Sequence, residues 1–110
     1  MLTNSPSDRR AVPRFEMNQA ALLTLLTDPP QSMKVVITDG HFRGMRLDLP
    51  SAVSVNQAIK VEVGEFLILG EVCYCGPANP GSAMPYSAGI VVSQFLSGVA
   101  DLRHLLDALQ

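Results

Sequence analysis

Residues 58–75 read AIKVEVGEFLILGEVCYC, and this stretch decides the fold. Ile59, Val61 and Val63 alternate with Lys60 and Glu62, the period of a strand with one buried and one wet face. Gly64-Glu65 comes next with glycine first, as a two-residue type II′ hairpin turn requires. FLILGEVCYC then returns as the second strand of the hairpin.

The same period extends upstream. In GMRLDL (44–49), Met45, Leu47 and Leu49 share one side, and Arg46 and Asp48 the other. MKVVIT (33–38) is short and β-branched, which favours strand. AALLTLLTD (20–28) is an apolar run closed by Asp28-Pro29-Pro30. Its pattern alone leaves helix and strand open, and the strand patterns downstream of it favour strand. Farther on, GPANPGSAMP (76–85) has the glycine, proline and asparagine of a loop, and YSAGIVVSQF (86–95) reads as another strand.

The C-terminal end has a different period. Val99, Leu102, Leu105, Leu106 and Leu109 recur at helical spacing, with Asp101, Arg103, His104 and Asp107 on the opposite face. Ser97 is placed to cap such a helix, and Asp101 lies in its positive first turn. The expected fold class is therefore all-β: about six strands forming a barrel or a sandwich, with a C-terminal α-helix over 98–109. Residues 1–13 (MLTNSPSDRRAVP) are polar and aperiodic and read as a flexible arm, with the barrel and helix occupying 14–110.

The chain has 110 residues, the size of one domain, with 47% hydrophobic and 16% charged residues, which excludes general disorder. The net charge of −2 argues against a nucleic-acid or membrane-surface binder by bulk charge. No apolar run approaches a membrane helix, and no apolar segment comes after Met1, so no membrane insertion and a cytoplasmic setting are expected. Cys73 and Cys75, two apart, share a strand face by the period of two and read as buried structural thiols. No further cysteine or histidine stands at ligand spacing beside them, so no metal and no cofactor are expected.

Two clusters carry possible chemistry. Arg10-Ala-Val-Pro-Arg14 is an RxxxR spacing, preceded by Arg9, just ahead of the first strand. Asp39-Gly-His-Phe-Arg-Gly44 is a turn between two strands. An RxxxR arm, a strand pair joined by a [D/N]xSxxG turn and a barrel closed by a helix resemble the PilZ family, and the resemblance implies a six-stranded antiparallel β-barrel with a C-terminal α-helix. Tyr86, Gly89 and Phe95 in YSAGIVVSQF hold places like those of the family's later strands, and the resemblance runs over about residues 9–110. His41 stands where the family has serine.

The resemblance implies a ligand, the second messenger cyclic di-GMP, with Arg10, Arg14, Asp39, His41 and Gly44 at the site and Arg9 as an added phosphate contact. Arginine offers a planar fork of donors that matches guanine O6 and N7. A carboxylate at Asp39 accepts from guanine N1–H and N2–H₂. Glycine at 44 allows a turn or a close backbone approach. His41 is bulkier than serine and titrates near neutral pH. The implied function is that of a receptor and adaptor: ligand orders the arm on the barrel, and a protein partner reads the altered surface. The alternative is a degenerate PilZ adaptor that binds no nucleotide and holds its partner at the helix margin or an exposed strand edge.

Other classes fit less well. His41 beside Asp39 is the single candidate catalytic pair, and no GxSxG, HExxH or P-loop is present, so an enzyme is not expected. An oligonucleotide-binding barrel would want basic grooves and stacking rings, against a negative charge and 5% aromatic residues, so neither DNA nor RNA is expected as a partner.

Overall fold

Alternation over the strands becomes a closed ring in the computed structural model, which describes residues 18–41 and 43–97. The strands are β1 (Gln19–Leu25), β2 (Gln31–His41), β3 (Gly44–Leu49), β4 (Ala58–Val63), β5 (Phe66–Pro77) and β6 (Tyr86–Ser97). The AALLTLLTD run is thus a strand. The strands pair antiparallel in the order β1-β2-β3-β6-β5-β4, and β4 returns to β1. An even number of strands lets an all-antiparallel ring close. Every strand has two neighbours, so the ring of six strands is closed.

The inward residues are those the alternation names. Met45, Leu47 and Leu49 are buried on β3, as are Ile59, Val61 and Val63 on β4. Leu23, Val35, Ile37, Ile68, Val72, Ala88 and Ile90 complete the core. A barrel of this strand number is just wide enough for its own side chains. The interior is therefore packed, and any ligand must meet the outer face or an end. Thr24 is the buried polar side chain among the described residues, and its hydroxyl lies 2.9 Å from the Ser32 hydroxyl across the β1–β2 pair.

The β4–β5 hairpin has the expected turn. Val63 pairs with Phe66, and Gly64 has φ 57° while Glu65 is not left-handed, the type II′ pattern. The β3–β4 connection turns at Asn56 (φ 72°), where Gln57 N–H donates to the Ser54 carbonyl at 3.2 Å, and it then docks on β5 through Asn56 N–H to the Val72 carbonyl at 2.7 Å.

Three strands each carry one residue that the pairing passes over. Thr38 on β2 lies between the pairs Ile37–Leu47 and Asp39–Arg46. Cys73 on β5 lies between Val72–Ile90 and Tyr74–Gly89, and Ser93 on β6 between Gly70–Val92 and Leu69–Gln94. Each is a bulge, and each inverts the in-out phase of the remainder of its strand. After Ile37, Asp39 faces out instead of in. After Val72, Tyr74 faces out and Cys75 packs on the core. After Val92, Phe95 packs on the core and Gln94 is exposed. The two cysteines accordingly do not share a face: Cys73 is exposed and Cys75 half-buried, a correction to the reading of both as buried.

The expected helix over 98–109 and the arm over 1–13 lie outside the described residues. No helix among the described residues is long and apolar enough to cross a membrane.

Candidate functional site

The bulges on β2 and β5 bring four residues into one transverse row. Asp39 on β2 is registered with Arg46 on β3, Arg46 with Gly89 on β6, and Gly89 with Tyr74 on β5. With neighbouring strands about 4.8 Å apart, the row spans about 14 Å of the outer face. Asp39 and Arg46 are exposed, and Tyr74 keeps 42% of its surface in solvent.

Each member is placed by a local cause. Asp39 faces outward because Thr38 is passed over, and the Thr38 hydroxyl clips that bulge to β3 by donating to the Arg46 carbonyl at 3.3 Å. Tyr74 leans across Gly89: a Cβ at that glycine would come within 2.6 Å of Tyr74 Cδ2 and closer still to Cε2. The ring edge thus occupies the volume a side chain at 89 would take. A glycine inside a strand often marks such a close approach.

Two shallow depressions flank the Asp39–Arg46 pair and share both residues. The smaller, about 210 Å³, is lined by Gly44, Met45, Cys73, Tyr74, Gly89 and Ile90 besides the pair. The larger, about 550 Å³, is lined by Asn18, Thr38, Asp48, Asn79, Gly81, Ser82 and Ser87 besides the pair. The larger falls within the roughly 300–1,000 Å³ typical of small-molecule sites.

The two carboxylates on this face differ in commitment. Ser82 Oγ donates to Asp48 Oδ2 at 2.7 Å and accepts from Met84 N–H at 3.1 Å, which folds the 78–85 loop against β3 as a wall of the larger depression. Asp48 is thereby occupied. Among the described residues, neither the Asp39 carboxylate nor the Arg46 guanidinium makes an ion pair or a side-chain hydrogen bond. An exposed acceptor and an exposed fork of donors stand side by side with their hydrogen-bonding capacity open. No cluster of side chains suited to a metal ion occurs among the described residues.

Of the residues expected at the site, Asp39 and Gly44 come together around the smaller depression. A Cβ at Gly44 would lie 3.2 Å from the Ile90 carbonyl oxygen, and its φ is not left-handed, so this glycine serves close approach of β3 to β6 rather than a turn conformation. The His41 backbone pairs with Gly44 at the end of the β2–β3 hairpin. Its side chain lies outside the described residues, as do Arg9, Arg10 and Arg14. The chain enters β1 at Asn18, in the left-handed conformation (φ 65°), on the rim of the larger depression. Sequence reasoning does not single out Arg46, Tyr74 or Gly89 as site residues. Gly89 in a strand interior is the available signal for a close approach, and Arg46 reads from the sequence only as outward-facing.

No protein-family model, no curated protein and no solved structure matches the chain.

Proposed function

We propose that this outer face binds cyclic di-GMP and that the chain works as a receptor and adaptor. The observation that carries the reading is the uncommitted Asp39–Arg46 pair between two depressions, at the rim where the arginine-bearing N-terminal segment enters the barrel. A guanine presents N1–H and N2–H₂ to a carboxylate and O6 and N7 to a guanidinium. Its phosphodiesters take further guanidinium groups. The packed interior leaves the outer face or an end of the barrel as the place for a ligand.

Arg14 precedes Asn18, on the rim of the larger depression, by four residues. Four residues of chain span at most about 14 Å, so Arg14 cannot lie farther than that from Asn18. Arg10 and Arg14 clamp the guanines, Arg9 adds a phosphate contact, and His41 and Gly44 border the ligand from the β2–β3 turn. Fixing each residue of the segment costs about 1–2 kcal/mol of backbone entropy, which charge-assisted contacts to the ligand must exceed. A protein partner then reads the ordered surface. The setting would be the bacterial cytoplasm.

The test is a calorimetric titration of the full chain with cyclic di-GMP, with GTP and cyclic di-AMP as controls. Selective binding is expected, weakened about tenfold, or roughly 1.4 kcal/mol, by Arg14→Ala and by Asp39→Ala. Wild-type affinity in both variants would show the site to be misplaced.

His41 in place of the motif serine supports one second reading, an adaptor that engages a protein without nucleotide. Absence of heat at high ligand, with binding restored by His41→Ser, would favour it.

A further inference from the structure

We propose that the barrel face itself holds a guanine, with Tyr74 as the stacking surface and Arg46 as the base-reading guanidinium, apart from the arginines ahead of β1. The inference rests on the nucleotide reading above and adds residues that neither cluster in the sequence contains. Its ligand class is a guanine nucleotide.

Three observations converge on it. Tyr74 is turned outward by the Cys73 bulge and is 42% exposed, although the strand around it is otherwise rich in inward apolar residues. Gly89 gives the ring a bed: with no Cβ at that position, the ring edge settles onto β6 and is held there instead of swinging free. Arg46 is the registered neighbour of Gly89 on its other side. The glycine therefore separates an aromatic ring from a guanidinium, and both line the smaller depression together with Asp39.

The chemistry of the three groups is complementary. An aromatic side chain stacks on the π-face of any base. A guanidinium beside it donates in a fork to O6 and N7, an acceptor pair that adenine lacks. The carboxylate one strand beyond accepts from the edge where guanine has N1–H and N2–H₂. Face, one edge and the other edge are thus each met by one residue on a different strand. An ordinary packing role for Tyr74, covering a strand glycine, explains the ring's position on Gly89 but not the open Asp39–Arg46 pair next to it.

The experiment is cyclic di-GMP titration of the full chain carrying single substitutions, each checked for folding by circular dichroism. Tyr74→Ala and Arg46→Ala should each weaken binding about tenfold. Tyr74→Phe should rescue most of the first loss, and Arg46→Lys, which keeps the charge without the fork, should not rescue the second. Gly89→Ala should weaken the wild type and add little in a Tyr74→Ala background, because its effect passes through the ring. With no tryptophan and two tyrosines in the chain, Tyr86→Phe leaves Tyr74 as the reporting fluorophore, and ligand should quench it. Wild-type affinity in both alanine variants, with Arg14→Ala and Asp39→Ala still impaired, would overturn this inference and leave the receptor reading resting on Asp39 and the arginines ahead of β1. No binding by the wild type would remove both.

Discussion

Asp39 on β2 and Tyr74 on β5 face the same side of the barrel because each comes after a residue its partner strand passes over, Thr38 in one case and Cys73 in the other. The β3–β6 pair lies between them, with Arg46 and Gly89 in register. The candidate site is thus built by two shifts of strand phase on either side of an undistorted pair.

Deleting Thr38 should be tolerated about as well as truncating it. The deletion makes Ile37–Leu47 and Asp39–Arg46 successive pairs of a regular ladder, in which Asp39 still faces outward beside Arg46. Thr38→Ala removes a single exposed hydrogen bond and should cost about 0.5–1 kcal/mol. Urea denaturation of the two variants checks this. A deletion variant far less stable than Thr38→Ala would contradict the phase argument.

Glycines should divide by what surrounds them. A Cβ at Gly70 would collide with the Val91 carbonyl oxygen, a backbone atom that cannot step aside, so Gly70→Ala should cost about 2 kcal/mol or more. Gly76 and Gly81 have open space around the same position, and alanine there should be close to neutral. At Gly64, space is open but φ is 57°, so alanine should cost about 1 kcal/mol and asparagine less. Chemical denaturation curves of the four variants give the ranking directly.

Leu47 is fully buried and faces Ile37 on one side and Ala88 on the other. Leu47→Ala should cost about 2–5 kcal/mol. Val91, on the adjoining strand but 53% exposed, should tolerate alanine to within about 0.5 kcal/mol. Equal losses at both positions would mean that the ring is not packed inside as described.

Much of the fold is legible in the residues alone. The alternations at 45–49 and 59–63 and the glycine-first turn at 64–65 place β3, β4 and the start of β5 correctly, because a period of two in an antiparallel sheet leaves one face for the core. The bulges are not legible. A bulge adds one residue to a strand without altering its composition, and the phase error is carried forward silently. Cys73 and Cys75 therefore read as one face and emerge on two. Tyr74 and Arg46 escape notice for a related reason, since their proximity depends on β6 entering the ring between β3 and β5, which no local pattern encodes. Asp39 and Gly44 can be found because they sit within six residues of one another in a single turn.

Ser82→Ala should loosen the 78–85 loop while leaving the ring intact. It removes a hydroxyl that bridges the Asp48 carboxylate and the Met84 N–H, and should cost about 1 kcal/mol. Amide hydrogen exchange should accelerate at Met84 and remain slow at Leu47 and Ile90. Unchanged protection at Met84 would show that the loop is held by other contacts.

Cys73 offers a chemical reading of occupancy. It is exposed and lines the smaller depression, whereas Cys75 is half-buried with its sulfur 3.5 Å from the Val53 N–H. Alkylation should therefore label Cys73 first, and saturating cyclic di-GMP should slow that reaction several-fold. An unchanged rate under conditions where calorimetry shows binding would place the ligand elsewhere.

The bulges also bear on how such a face is kept. One inserted codon that a strand absorbs as a bulge leaves the residues on both sides of it paired and facing as they were. A barrel of this kind can thus lengthen a strand by one residue without turning its interior outward or passing through a chain that fails to fold. Kinship among such barrels is then better traced by where their strands gain or lose a residue than by which letters stand at the site.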